Sequence, residues 1–144
     1  MSVSTEFEGP ETKIIEWPIT WRDVAIWLDT EGTAAIYKHH GRLESVIHIA
    51  QKERAPLEVL RAFVASQGIV CKVRTSGKST GMHVLEIKPV ISQFEFLVSV
   101  RPYMMTVRQS RRVDRLIEFL RERRRVKRRR KGLSIVERRD GQPR

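Results

Sequence analysis

A single cysteine, Cys71, stands among 144 residues, so no disulfide can form within the chain and the fold needs no oxidising compartment. No apolar run approaches the ~20 residues that cross a bilayer. The polar, acidic start from Met1 to Glu11 is unlike a secretory leader. These absences set the expectation of an intracellular protein that neither spans a membrane nor leaves the cell. Basic residues far outnumber acidic ones at one end only. Residues 121–144 hold 12 Lys/Arg against three Asp/Glu, whereas residues 1–120 hold 16 against 14. The formal charge of +11 is therefore concentrated in a terminal run, Arg121 to Lys131. Such a run is drawn to any polyanion with an affinity that falls with salt. Charge alone does not separate DNA, RNA and an acidic membrane surface, and a solvated tail carries the same signature.

What is present reads as one domain with a real core, since the length leaves little room for two and 40% of the residues are hydrophobic. Residues 1–16 lack periodicity and are expected to form a flexible arm. Thr20 is a helix N-cap candidate, and Trp21, Val24, Ala25 and Leu28 then recur at i, i+3, i+4 and i+7 until Gly32 closes the helix. Residues 33–40 and 43–50 predict two strands about a Gly41-Arg42 turn. Pro56 to Gln67 predicts a second helix with Leu57, Leu60, Phe63 and Val64 as its buried stripe, capped by Gly68. Residues 69–75 and 82–88 predict another hairpin, and Val90 to Val100 a short apolar helix. Pro102 separates that from a last helix with Val113, Leu116, Ile117 and Leu120 facing inward. Two α-β-β units in series imply an α+β fold, a mixed antiparallel sheet with helices on one face.

That arrangement leaves the other sheet face open. Alternation on the third strand sets Lys72 and Arg74 against Ile69, Cys71 and Val73, and Tyr37, His39, His48 and His83 are candidates to join the basic pair. Long basic and aromatic side chains on a sheet suit a DNA groove, where they reach phosphates and base edges. The plainer alternative is the wet face of an ordinary sheet.

The oddest local feature is Asp29-Thr30-Glu31-Gly32 at the end of the first helix. Carboxylates there face the negative end of the helix dipole, a disfavoured place by roughly 0.3–1 kcal/mol each. Two acids beside free helix carbonyls are suited to a divalent cation with oxygen ligands. The stretch Val24-Ala25-Ile26-Trp27-Leu28-Asp29-Thr30-Glu31-Gly32 resembles the LAGLIDADG motif of a homing endonuclease family, in which the ending D-x-E-G is an accepted form. The predicted α-β-β-α-β-β-α order matches that family. Ile49-Ala50-Gln51-Lys52, Ile87-Lys88-Pro89 and Arg101-Pro102-Tyr103 resemble its strand-end, sheet-exit and pre-helix segments, so the likeness covers residues 17–121. Residues 122–144 follow as a basic tail.

The resemblance implies a homodimeric double-strand DNA endonuclease that uses Mg²⁺ or another divalent cation. Glu31 falls on the family's metal-binding acid, Gln51 on a polar residue near the attacking water, and Arg108 on a basic residue near the phosphate. Asp29 falls on the acid concerned with helix packing. With Val24, Ala25 and Leu28 it is assigned here to the seam between paired first helices. A single motif implies that each subunit reads one half of a near-palindromic site. Four departures stand out. Ile26 replaces the motif glycine, Thr30 a second small residue, and Ala55 a basic residue beside Arg54; Arg108 lies one residue late. These changes are compatible with binding without cleavage. The rival expectations are a DNA-binding regulator or an RNA-gripping splicing cofactor on the same fold, or a ribosome-associated protein working through its tail.

Other motifs carry less. The four histidines lack zinc-ligand spacing. Gly77-Lys78-Ser79-Thr80-Gly81 lacks the phosphate-loop spacing and precedes a strand. It is expected to be a flexible hairpin tip with Lys78 against the DNA backbone. Ser79 and Cys71 have no evident base partner for nucleophilic chemistry.

Overall fold

Thr20 opens the first helix, α1 (Trp21–Glu31), through a complete capping box: its hydroxyl accepts from the Asp23 backbone while the Asp23 carboxylate accepts from the Thr20 backbone. In the computed structural model, which describes residues 19–75 and 81–139, α1 leads into β1 (Gly32–His39) and β2 (Arg42–Gln51), then α2 (Arg54–Ser66), β3 (Lys72–Thr75) and β4 (His83–Glu86). Next come α3 (Val90–Val100), a single 3₁₀ turn (Arg101–Tyr103) and α4 (Val107–Arg139). The expected arm at residues 1–16 and Lys78 lie outside the described residues. The four strands form one antiparallel sheet in the order β1-β2-β4-β3. The α+β reading with its αββαββα order holds.

One core joins the four helices to the sheet. Val24, Ala25 and Leu28 of α1 pack with Leu57, Leu60 and Val64 of α2, with Phe96, Leu97 and Val100 of α3, and with Val113, Leu116 and Leu120 of α4. The sheet contributes Ala34, Ile47, Ile49 and Leu85, which share one side by register, and Ile87 follows just beyond β4. Trp21 closes the edge, its ring set edge-on to Phe63 at 5.2 Å and Phe96 at 5.9 Å. Gln93, buried on α3, donates to Ile87 O at 2.8 Å and also bonds Ser45, which ties β2 to the end of β4.

Local details differ from expectation for identifiable reasons. The first hairpin turns on His40-Gly41, not Gly41-Arg42; both carry positive φ, 52° and 77°. That is the two-residue turn whose twist matches the strands. Gly32 does not end α1 in the left-handed region, because its backbone is extended at φ −108° and already belongs to β1. β3 begins at Lys72, because the Val70 amide bonds the Ser92 hydroxyl of α3 at 3.0 Å, away from the sheet. The last helix runs 33 residues without a break, through the position where the basic tail was expected to begin. None of the described helices is long and apolar enough to cross a membrane.

Candidate nucleic-acid interface and acidic centre

Strand register decides which predicted residues share the face turned away from the helices. The pairs Thr33↔His48, Tyr37↔Glu44 and His39↔Arg42, followed by His48↔Glu86 and Lys72↔Glu86, put Tyr37, His39, His48, Lys72 and Arg74 on one side. His83 is not among them. It pairs with Gln51 and Thr75, has the parity of core Leu85, and meets the Thr75 hydroxyl at 3.1 Å through Nδ1. Alternation within one strand suffices for Lys72 and Arg74, whereas the side taken by His83 is set by its pairing with the neighbouring strands.

Glu86 sits in the middle of this basic face and was not foreseen. It is 6% exposed, yet its neighbours are cations: Arg74 Nε at 2.6 Å, Lys88 Nζ at 3.4 Å and Lys72 Nζ at 4.0 Å. Burial would raise its pKa, but the hydrogen bond and charge of Arg74, helped by Lys88, outweigh burial and hold the carboxyl below its usual range. His48, beside it across the strands, is half-buried. Burial first and the Arg74 charge second lower its pKa, against the opposing pull of Glu86, so the imidazole is neutral at neutral pH.

At one end of the sheet, α1 delivers its acids. Asp29 is not free: it accepts from the Met105 amide at 2.8 Å and the Thr106 hydroxyl at 2.8 Å, fastening the start of α4 to the end of α1. These bonds offset its poor position at the helix terminus. The Leu28 carbonyl near the helix end is taken as well. Gln109, nearly buried, donates through Nε2 to Leu28 O at 3.0 Å and to Gly32 O at 3.2 Å. Of the expected pair of acids, Glu31 is the one left as an exposed carboxylate. Among the described residues no cluster of three or more His, Cys, Asp or Glu forms a cation site.

The other predicted catalytic residues gather at the same end. Gly32 pairs with Ile49, so Gln51 at the end of β2 lies just beyond the α1–β1 junction; its Oε1 accepts from the Lys52 amide at 3.0 Å. Arg108 is exposed and follows Val107, the first residue of α4, adjacent to the Thr106 and Gln109 contacts with α1. Arg54 is held by Glu58 at 2.9 Å and directs a second nitrogen to Thr75 Oγ1 at 3.5 Å. Val24, Ala25 and Leu28 correct the expected seam. All three are 0% exposed in the chain's own core, so none is available to a partner helix. The outward positions of α1 are Arg22, Ile26 and Thr30, with Ile26 43% exposed.

Gln109 and Glu86 are the two residues sequence reasoning missed. Gln109 had a signal, since it continues the Val113, Leu116 and Leu120 stripe backwards by four residues. A polar residue in an apolar stripe marks a buried hydrogen-bonding task.

The same architecture occurs in solved structures. The chain superposes on the archaeal intron-encoded homing endonuclease I-Vdi141I, complexed with DNA, with a TM-score of 0.57 and 18% identity, covering 68% of this chain and 64% of that one. On the LAGLIDADG meganuclease I-AabMI bound to uncleaved DNA the values are 0.61 and 17%, over 72% of this chain and 36% of that one. This chain has the LAGLIDADG homing-endonuclease fold. I-TnaI, another homing endonuclease, matches with a TM-score of 0.61 and 14% identity over 76% of each chain. The chain thus spans less than two thirds of I-Vdi141I and about a third of I-AabMI. No protein-family model matches the sequence, and no curated protein matches it either.

Proposed function

We propose that this protein is a site-specific endonuclease acting on duplex DNA as a homodimer with Mg²⁺ or a similar divalent cation. The observation that carries the reading is the juxtaposition within one LAGLIDADG fold of a basic, aromatic sheet face and an exposed Glu31 at its end. The neighbouring structures described as bound to DNA support the substrate class. The sheet face supplies affinity and sequence preference: Lys72 and Arg74 to phosphates or acceptor base edges, Tyr37, His39 and His48 to the groove walls.

Glu31 is the residue to hold the cation. One carboxylate completed by phosphate oxygens and water is the usual way Mg²⁺ is bound, so the residues present fit it without a closed protein cage. When bound, the ion supplies charge neutralisation at the scissile phosphate and a more acidic water. Gln51, with its Oε1 taken by Lys52, keeps its amide N–H groups to orient a water. Arg108 carries positive charge to the same end of the fold. A second chain packed through the outer face of α1, over Ile26 and Thr30, brings a second Glu31 to the dyad.

The experiment is cleavage of a randomised duplex library in Mg²⁺, with the Glu31→Gln variant alongside. Selective cuts that disappear in the variant, with DNA binding retained, support the reading. Ile26 and Thr30 stand where paired helices of this type carry smaller residues, and this favours one rival, a protein that binds without cutting. Enrichment of the same sequences by both proteins, with no cleavage by either, would establish that rival.

A further inference from the structure

We infer that Glu86 is a positioning residue that fixes the Arg74 guanidinium for recognition of a guanine, so that this pair sets one position of sequence preference in each half-site. The inference rests on the proposed duplex-DNA reading and adds to it a named base and a named device.

Three observations carry it. First, Arg74 meets Glu86 through Nε, at 2.6 Å, on the face turned from the helices. An Nε–H held by a carboxylate fixes the plane of the guanidinium and leaves its two terminal nitrogens as a fork. That fork matches O6 and N7 of guanine, the acceptor pair that a bidentate arginine reads in the major groove. Arg74 is 48% exposed in its side chain, so the fork has access. Second, Glu86 is placed as a support beneath the surface. Its side chain is 8% exposed, and Oε2 lies buried with no hydrogen bond although Lys88 Nζ stands at 3.4 Å. Third, an acid costs a DNA-binding face general affinity, since it cancels one cation against the phosphates. Its place at the centre of four nitrogen-bearing side chains, Arg74, Lys72, Lys88 and His48, is accounted for if it organises one of them.

A phosphate can accept from the same guanidinium fork, but such a contact carries no sequence information, so a base preference tied to Arg74 separates the two.

The test is binding selection on randomised duplexes in Ca²⁺ with the wild-type chain, Arg74→Lys and Glu86→Gln, followed by affinities for the selected duplex and for single-base changes at each position. Wild type is expected to prefer guanine about tenfold at one position per half-site. Arg74→Lys keeps the charge, and with it the affinity for unrelated duplex and its salt dependence, but loses that preference. Glu86→Gln weakens the preference to about threefold or less while raising affinity for unrelated duplex, a split that general loosening of the fold does not produce. The Arg74 Nε–H resonance gives a DNA-free readout: slowed exchange in wild type, fast exchange in Glu86→Gln. If both variants select the same sequence as wild type with the same discrimination at every position, the inference is overturned while the functional reading stands. If wild type selects no sequence at all, both fall. Should Glu86→Gln not fold, as shown by loss of cooperative unfolding, Arg74→Lys still decides whether Arg74 reads a base or a phosphate.

Discussion

At Gly32 the junction between α1 and β1 leaves no room for a side chain. A Cβ there would lie 2.6 Å from Leu28 Cδ1 and 2.9 Å from both the Leu28 Cα and carbonyl oxygen, two of them backbone atoms that cannot step aside. Gly32→Ala is therefore expected to destabilise the fold by about 1–3 kcal/mol, read as a lower denaturant midpoint with unchanged slope. The same substitution at Gly41 meets nothing within 4 Å and costs only the left-handed backbone conformation. Ionisation adds a second residue-scale expectation. His48 has a folded pKa below its ordinary value of 6.5, so protons bind the unfolded chain first. Its contribution is complete above about that value and is lost as pH falls through the folded pKa. Glu86, held below its ordinary 4.5, contributes above that value and is lost only at still lower pH. Denaturation from pH 8 to 3 should show two successive losses, and His48→Gln should remove the upper one. A curve for that variant unchanged between pH 7 and 5 relative to wild type would refute the assignment.

Among the elements, legibility followed the physics of each signal. Caps and apolar periodicity are local, so α1 and α3 were readable to the residue, and Thr20, Trp21 and Val100 stand where they were expected. The His40-Gly41 turn was placed one residue late because only glycine advertises positive φ, while His40 adopts it silently. The place of Glu31 at the end of α1 and the Lys72–Arg74 alternation could be read because each depends on position within one element. Glu86 and Gln109 could not, since their burial arises from side chains on other strands and helices. The length of α4 was hidden for a different reason: beyond Leu120 it has no apolar stripe, and a charge run carries no period. Its side-chain supports there include Arg121 and Arg124 over the Phe94 ring, at 5.8 and 4.9 Å, Arg123 over Phe119 at 5.7 Å, and the Arg121–Glu118 and Arg125–Glu122 pairs, both at 3.0 Å. Like charges three and four residues apart oppose the helix by roughly 0.2–0.5 kcal/mol per pair. Helical circular dichroism should therefore rise with ionic strength in the full chain and stay flat in a chain ending at residue 121.

For the molecule as a whole, the two sources of DNA affinity in the proposed function are separable. The sheet face is built by register and is independent of α4 beyond its buried part, while the excess charge lies past residue 120. Removing residues 122–144 should lower affinity for any duplex. The slope of log affinity against log salt should shrink by about 0.9 for each phosphate that the shortened chain leaves unneutralised, with the preferred sequence unchanged. Disappearance of the preferred sequence as well would mean that recognition resides in the basic segment. The unbroken course of α4 has a further geometric consequence. Its first turn is locked to α1 through Asp29 and Gln109, so the backbone is phased from that anchor to Arg139, about 50 Å away. A one-residue deletion between 121 and 126 leaves charge and composition nearly intact. It nevertheless turns every later backbone position of the helix about 100° around its axis, which makes azimuth, and not only the amount of charge, a quantity that such a deletion changes.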